Sequence, residues 1–227
     1  MKYKNVILLA VILCCIELPG LQAQTVRDIE GNVYKTVTIG KQVWMKENLK
    51  TTKYNDGKAI PLVTDDKAWG ALTTPAYCWY NNTAAASKNT NGALYNWYTV
   101  NTNKLCPKGW HVPADAEWRI LTTYLGGESV AGGKLKETGT AHWESPNTGA
   151  TNESGFTAFS GGSRNHAGAF DISGSNAIFF RSNACWWSSS ELTDFNAFYR
   201  RLYNTLSDIY SSLSVKQSGY SVRCLKD

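Results

Sequence analysis

The spacing of apolar positions divides the chain into four stretches. The first is an unbroken apolar run from Val6 to Ile16, preceded by Lys2 and Lys4. A bilayer span takes roughly 18 or more apolar residues, so this run is too short for one. Pro19-Gly20 breaks any helix that begins there, and Leu21-Gln22-Ala23 ends on a small residue. Residues 1–23 therefore read as a secretory signal peptide cut after Ala23, which leaves Gln24 as the mature start. A lipoprotein is the rival, because Cys14 and Cys15 lie in the run. However, Ile12-Leu13 lacks the small residues that lipoprotein processing prefers before the modified cysteine.

From residue 25 the pattern alternates. Val26–Ile29, Val33–Ile39 and Gln42–Met45 read as a strand meander with turns at Glu30-Gly31-Asn32 and Gly40-Lys41. Asn55-Asp56-Gly57 is a further turn signal. Residues 56–92 are loop-rich, with Asp65-Asp66 placed to cap a short helix through Trp69, a short strand at Tyr77–Tyr80, and an exposed polar loop at Asn81–Asn91. Ala93–Val100 has room for one or two helical turns. The clearest helix runs from Pro113 to Leu125. Proline suits its first position, Asp115 and Glu117 suit the positive end of its dipole, and Ala114, Trp118, Leu121 and Leu125 make one stripe. A second short helix spans Glu128–Lys136, with Gly132-Gly133 inside it.

After about residue 138 the helical period disappears. Short β-like runs follow at Phe156–Phe159, Phe170–Ile172, Ala177–Phe180, Ala184–Ser188, Ala197–Tyr203, Ile209–Val215 and Tyr220–Leu225, separated by Gly, Ser and Asn. No internal repeat or linker interrupts them. Residues 24–227 are thus expected to form one α+β domain: two or so helices in the first half, an irregular antiparallel sheet in the second, and the termini brought together.

Composition changes this picture little. Of 227 residues, 57 are Ser, Thr or Asn and 28 are aromatic (9 Trp, 12 Tyr and 7 Phe), which suits a loop-rich and strand-rich protein outside the cell. Without residues 1–23 the net charge falls from +5 to +4, and the charges are scattered. An ordinary polar surface is expected, with no nucleic-acid partner and no transmembrane anchor after signal cleavage. The protein is expected to be secreted or held at the cell surface.

Cleavage removes Cys14 and Cys15 and leaves Cys78, Cys106, Cys185 and Cys224. An even number in an exported protein reads as disulfides, and four cysteines allow three connectivities. Cys106–Cys224 is favoured because it ties the last segment to the middle of the chain. Cys78–Cys185 follows by elimination. No Cys-x-x-Cys pair or clustered His/Cys spacing points to zinc.

Three stretches carry a family resemblance: Val43-Trp44-Met45-Lys46-Glu47-Asn48-Leu49, Cys106-Pro107-Lys108-Gly109-Trp110-His111-Val112-Pro113 with Asp115-Ala116-Glu117-Trp118 beyond it, and Gly219-Tyr220-Ser221-Val222-Arg223-Cys224. In this order they resemble the Fibrobacter succinogenes major paralogous domain family of exported bacterial proteins. Gly92-Ala93-Leu94-Tyr95-Asn96-Trp97, Gly132-Gly133-Lys134-Leu135-Lys136 and Glu153-Ser154-Gly155-Phe156 are similar to that family as well. The resemblance covers residues 26–227. It implies a fold related to C-type-lectin-like domains and to the formylglycine-generating enzyme, in which a cysteine at the first helix pairs with one in the final strand. That again implies Cys106–Cys224.

Candidate chemistry is sparse. A formylglycine-generating enzyme uses reactive thiols that handle copper and oxygen, and two disulfides would leave none here. That reading needs at least one thiol near residues 185–224. The Gly-Gly-Ser turn within Ser160-Gly161-Gly162-Ser163-Arg164-Asn165 is similar to that enzyme's fold, but is read as a backbone turn. No Gly-x-Ser-x-Gly elbow or His-Glu-x-x-His is present. His111, His142 and His166 are scattered: His111 reads as a packed structural residue and His166 as a loop residue. Glu144 and Glu153 read as surface carboxylates rather than a glycosidase pair.

Lectin-type calcium loops need Glu-Pro-Asn or Gln-Pro-Asp and a later Trp-Asn-Asp. Here Ser145-Pro146-Asn147 and Trp186-Trp187-Ser188-Ser189 depart from both. No cofactor is expected, and a structural calcium is left open. Sugar stacking on exposed aromatics stays open at Trp79, Tyr80, Trp143, Trp186 and Trp187, against a packed-core role for each. Adjacent Trp186 and Trp187 should point to opposite faces of a strand, so one of them should be buried. Arg164 and His166, in the same Gly/Asn-rich region, complete the candidate ligand-binding set. Arg223 lies between two core positions, and if inward it needs a carboxylate, with Asp115 or Glu117 as the expected partner. The expected function is a non-catalytic recognition or structural module outside the cell, with a carbohydrate or surface-protein ligand. A formylglycine-generating-type modifying enzyme is the alternative.

Overall fold

The computed structural model describes residues 24–87, 90–170 and 181–227. The expected leader lies outside these residues, as do residues 171–172 and 177–180 of two expected β-like runs. The first meander forms as its alternation predicts: β1 (Thr25–Arg27), β2 (Val33–Ile39) and β3 (Gln42–Met45) pair antiparallel. Gly40 closes the β2–β3 turn with φ at 61°, a region that suits glycine. Two distant segments complete this sheet, β6 (Trp110–His111) and β10 (Leu225–Lys226), giving the order β1-β2-β3-β10-β6. The last strand thus sits between the third and the sixth, antiparallel to both. Cys106 and Cys224 are joined by a disulfide at this junction, with Cα atoms 5.9 Å apart.

Between β3 and β6 the chain is loop-rich. Helix α1 (Asp66–Gly70) starts at Asp65, whose carboxylate accepts from the Ala68 N–H at 2.7 Å. The expected strand at Tyr77–Tyr80 shortens to β4 (Tyr77–Cys78), followed by a single 3-10 turn and the short helix α2 (Ala84–Ser87). Ala93–Val100 is not simply helical. It contains β5 (Leu94–Tyr95), which pairs with β4, and then α3 (Trp97–Val100), capped by the Asn96 side chain on the Thr99 N–H. Tyr95 also bonds the backbone of Tyr220, and that long-range pairing takes the segment out of the helical period.

Helix α4 (Asp115–Tyr124) buries Trp118 and Leu121 of the expected stripe, and Leu125, at its C-cap, is buried with them. It begins two residues later than Pro113. The Glu117 carboxylate turns back to accept from the Ala114 N–H at 2.8 Å and satisfies a donor that the helix leaves open. In α5 (Glu128–Leu135) the internal glycines have a packing reason. A Cβ on Gly132 would lie 2.1 Å from the Asp208 carbonyl oxygen, and one on Gly133 would lie 2.3 Å from that of Gly149.

The second half holds one regular antiparallel sheet of β7 (Asn183–Glu191), β8 (Asn196–Tyr203) and β9 (Ile209–Val215). Phe156–Phe159 is not a strand and contributes only an isolated bridge at Ala158. Both faces of the new sheet are covered. Trp187, Tyr199 and Cys185 pack into one cluster with Tyr95 and Cys224, while Trp186, Ala184 and Leu202 pack into another with Trp44 and Trp118. The α+β class and the antiparallel sheets stand as expected.

The two halves meet at Arg223, which is fully buried and forms no ion pair with a carboxylate among the described residues. The expected ion pair is replaced by neutral acceptors. Its Nε donates to Asn48 Oδ1 at 2.9 Å, and its terminal nitrogens donate to the carbonyls of Phe156 and Thr157. The guanidinium lies 4.3 Å from the Phe156 ring centroid and 5.5 Å from that of Trp186. Asn48 Oδ1 also accepts from Trp186 Nε1 at 2.8 Å. Asp115 serves Arg200 instead, at 2.6 Å, because α4 carries it toward β8. Burial lowers the Arg223 pKa to about 9.

Two stability measurements follow from this arrangement. Cys224→Ser opens a loop of 118 residues, and urea denaturation should register a loss of about 4–5 kcal/mol in the chain-entropy model. An unchanged unfolding midpoint would show that the bridge does not constrain the chain. Arg223→Met takes the guanidinium donors from the carbonyls of Phe156 and Thr157 and leaves Asn48 Oδ1 with Trp186 alone, and should cost about 3–5 kcal/mol. A loss below about 1 kcal/mol would mean that the rings alone hold the junction.

Candidate functional site

A cavity of about 190 Å³ opens on the face of the three-stranded sheet that carries Cys185. Its floor follows from strand register. Cys185 of β7 and Arg201 of β8 are direct cross-strand partners, so both side chains leave the sheet on one side. Ser214 of β9 joins them. One wall is the stretch Ser163–His166, and another is the segment from Ser218 to Tyr220. Gly162 lets the chain turn into the first wall: its φ is 73°, and a Cβ there would lie 2.2 Å from the Tyr80 ring.

Two of the candidate residues, Arg164 and His166, are brought together here, and they play different parts. Arg164 is fully buried and saturated. It donates to the carbonyls of Gly168, Val63 and Thr64 and to the Asp66 carboxylate at 2.8 Å, with Trp69 and Phe170 rings 4.5 and 4.8 Å away. It therefore pins the wall to α1. His166 is exposed on the rim.

The cation available to the cavity is Arg201, which sequence reasoning left unassigned. Its Nε is buried and has no hydrogen-bond partner, and no described carboxylate forms an ion pair with it. Its guanidinium lies 4.5 Å from the Tyr203 ring centroid. Burial opposes its charge, but the Cys185 thiol and the hydroxyls of Tyr203 and Tyr199 beside it raise its pKa overall. Strand alternation held the signal: Arg200 and Arg201 must face opposite sides, and Arg200 takes the side of Asp115. Ser214 Oγ lies 2.9 Å from Ser218 Oγ and 3.0 Å from the Tyr220 hydroxyl.

The expected Cys78–Cys185 bridge is not formed. The two thiols belong to different core clusters, Cys78 with Trp69 and Leu94, and Cys185 with Trp187 and Tyr199. Burial pushes the Cys78 thiol up to about 12, against the opposing pull of Arg164. Cys185 lines the cavity and lies 3.6 Å from Asn183 Oδ1.

The tryptophan candidates are corrected as well. Trp143, Trp186 and Trp187 are buried to within 1% of full coverage, and Trp79 and Tyr80 are also buried. The indole N–H groups of the first three are consumed internally: Trp143 donates to Ala158 O, Trp186 to Asn48 and Trp187 to Tyr95 O. Both residues of the 186–187 pair are buried because both sheet faces are covered, so none of these rings offers a face to a sugar.

The remaining histidines are held by carboxylates. His142 Nδ1 lies 2.7 Å from Glu137, and His111 bridges Asp227 at 2.6 Å and Glu117 at 2.9 Å. Glu153 approaches Lys134 at 3.4 Å. Among the described residues no group of three or more metal-ligating side chains is found, and no helix is long and apolar enough to cross a membrane.

Residues 37–226 match the model of the Fibrobacter succinogenes major domain family. No curated protein and no solved structure matches the chain.

The His111 bridge makes a pH prediction. Partial burial works against the imidazolium, but the Asp227 and Glu117 hydrogen bonds outweigh it and raise the pKa above 6.5. A raised folded value means that the bridge stabilises fully below the unfolded pKa and is lost as pH rises through the folded one. A histidine NMR titration should place the His111 midpoint above 6.5. Amide protection in β10 should fall across the same window and become independent of pH there in His111→Gln. A midpoint below 6.5 would show that burial wins.

Proposed function

The chain belongs to the Fibrobacter succinogenes major domain family, and from that premise we propose that it is an exported, non-catalytic recognition module on a C-type-lectin-like scaffold. Its partner is a carbohydrate or a surface protein, met outside the cell. The disulfide between the middle of the chain and its last segment favours an oxidising compartment. The placement of the last strand inside the N-terminal sheet suits a lectin-like architecture.

The observation that carries the reading is the cavity on the three-stranded sheet. Its walls present hydroxyls, an amide, an imidazole and a guanidinium, the donor-rich chemistry that orients a polar ligand. The groups best suited to turnover are engaged in structure: His111 and His142 are held by carboxylates, and Arg164 by four acceptors. Burial of the tryptophans shifts the recognising chemistry from ring stacking to hydrogen bonding.

One observation favours a second reading, a formylglycine-generating-type modifying activity. Cys185 is a thiol and lines this cavity, which meets the minimum that such an enzyme needs. Copper chemistry of that type uses reactive thiols together, and the residues here do not fit it, because Cys78 lies in another cluster with its thiol held protonated.

Glycan-array and cell-surface pull-down experiments with the mature chain should retain a ligand, and Cys185→Ser should retain it equally. Retention of no ligand, together with turnover of a cysteine-containing peptide that Cys185→Ser abolishes, would replace the recognition reading with the enzymatic one.

A further inference from the structure

We propose that the cavity is an oxyanion subsite in which the carboxylate or phosphate of a small hydroxylated ligand sits against the Arg201 guanidinium. The inference rests on the recognition reading above and gives it a ligand class. Its first support is the orphaned Arg201 Nε, buried and without an acceptor. A buried donor in that state is destabilising, the more so when it is charged, so an incoming oxyanion gains what the fold leaves unsatisfied. The second cation on the wall does not compete, because Arg164 is already saturated and its charge is offset by Asp66. Arg201 therefore carries the local surplus of positive charge.

The rest of the lining agrees in sign and in type. None of the residues lining the cavity is acidic. Asn165 Oδ1 already accepts from the N–H groups of Ala167 and Ala169, which leaves its amide nitrogen as the donating end. Ser214, Ser218 and Tyr220 form a short hydroxyl chain whose protons can turn toward an anion. His166 stands exposed at the rim.

Size sets a limit. A volume of about 190 Å³ corresponds to roughly six waters, enough for an oxyanion and part of one sugar ring and too little for an oligosaccharide. Tyr220 supplies a rigid edge, since its ring stacks on Tyr199 at 4.7 Å and meets Trp187 at 4.6 Å. The charged group thus enters against a wall that cannot retreat.

Calorimetric titration of the mature chain at low ionic strength, with D-glucuronate, inorganic phosphate and D-glucose as probes, tests the proposal. At least one of the two anions should bind and glucose at equal concentration should not, with affinity falling as NaCl is raised. Binding of glucuronate alone identifies a carboxylate-bearing ligand, and binding of phosphate alone a phosphorylated one. Arg201→Gln should weaken binding by about tenfold or more at an unchanged melting temperature. His166→Ala, at an exposed position, should weaken it severalfold and decides the matter if Arg201→Gln does not fold. Glucose binding as tightly as glucuronate, no anion binding up to about 10 mM, or variants that bind as the parent does would overturn the subsite. If a glycan-array ligand is retained and Arg201→Gln does not weaken it, the recognition reading survives and the subsite falls.

Discussion

A buried guanidinium held by neutral acceptors organises this protein. Arg223 must place its donors in a dry interior, and the acceptors it finds come from two distant parts of the chain: Asn48 after the first meander, and the carbonyls of Phe156 and Thr157 from the middle loops. Trp186 shares the Asn48 oxygen and brings the second sheet into the same knot. An ion pair would have satisfied Arg223 with one partner. Neutral acceptors demand several, so the residue fixes the relative positions of segments more than a hundred residues apart. The neighbouring disulfide through Cys224 holds the same segment covalently. Stretches that resemble a family in sequence thus meet in space around one charge.

Saturation divides the charged residues into two kinds. Arg164, Arg200, Arg223 and Lys136 spend their donors on the fold; Lys136, for instance, gives its ammonium to the carbonyls of Thr148, Tyr203 and Leu206. Such residues brace loops that have little regular structure of their own. Arg181 and Arg201 depart from that rule, each with a buried Nε left over. What separates Arg201 from Arg181 is its setting: Arg181 gives its terminal nitrogen to the carbonyls of Thr140, Ala141 and Trp143, while Arg201 lines the cavity.

The two unbridged thiols show the same separation between scaffold and site. Cys78 is deep in an aromatic cluster and held protonated, a small apolar filler. Cys185 faces the cavity, because its register opposite Arg201 puts it there. A surplus of polar loops therefore does not weaken the structure: the core clusters of tryptophan and tyrosine carry the packing, while glycines such as Gly132 and Gly133 let backbones approach where no side chain fits.

Periodicity along the chain determined the local elements. Alternation placed β2 and β3 at their observed residues, the Trp118–Leu121–Leu125 stripe oriented α4, and Asp65 marked the start of α1. These depend on neighbours two to four residues apart, so they are written in the sequence directly, and the motifs around Trp44, Cys106 and Cys224 carried the family. Tertiary structure decided the rest. Whether Cys78 reaches Cys185, whether Trp143, Trp186 and Trp187 keep an open face, and whether Arg223 meets a carboxylate all depend on which distant surfaces pack together. Arg200 and Arg201 show the limit most clearly. Alternation says that they diverge, but only the fold shows that one finds Asp115 and the other an open cavity. A partner's distance in space has no counterpart in spacing along a chain.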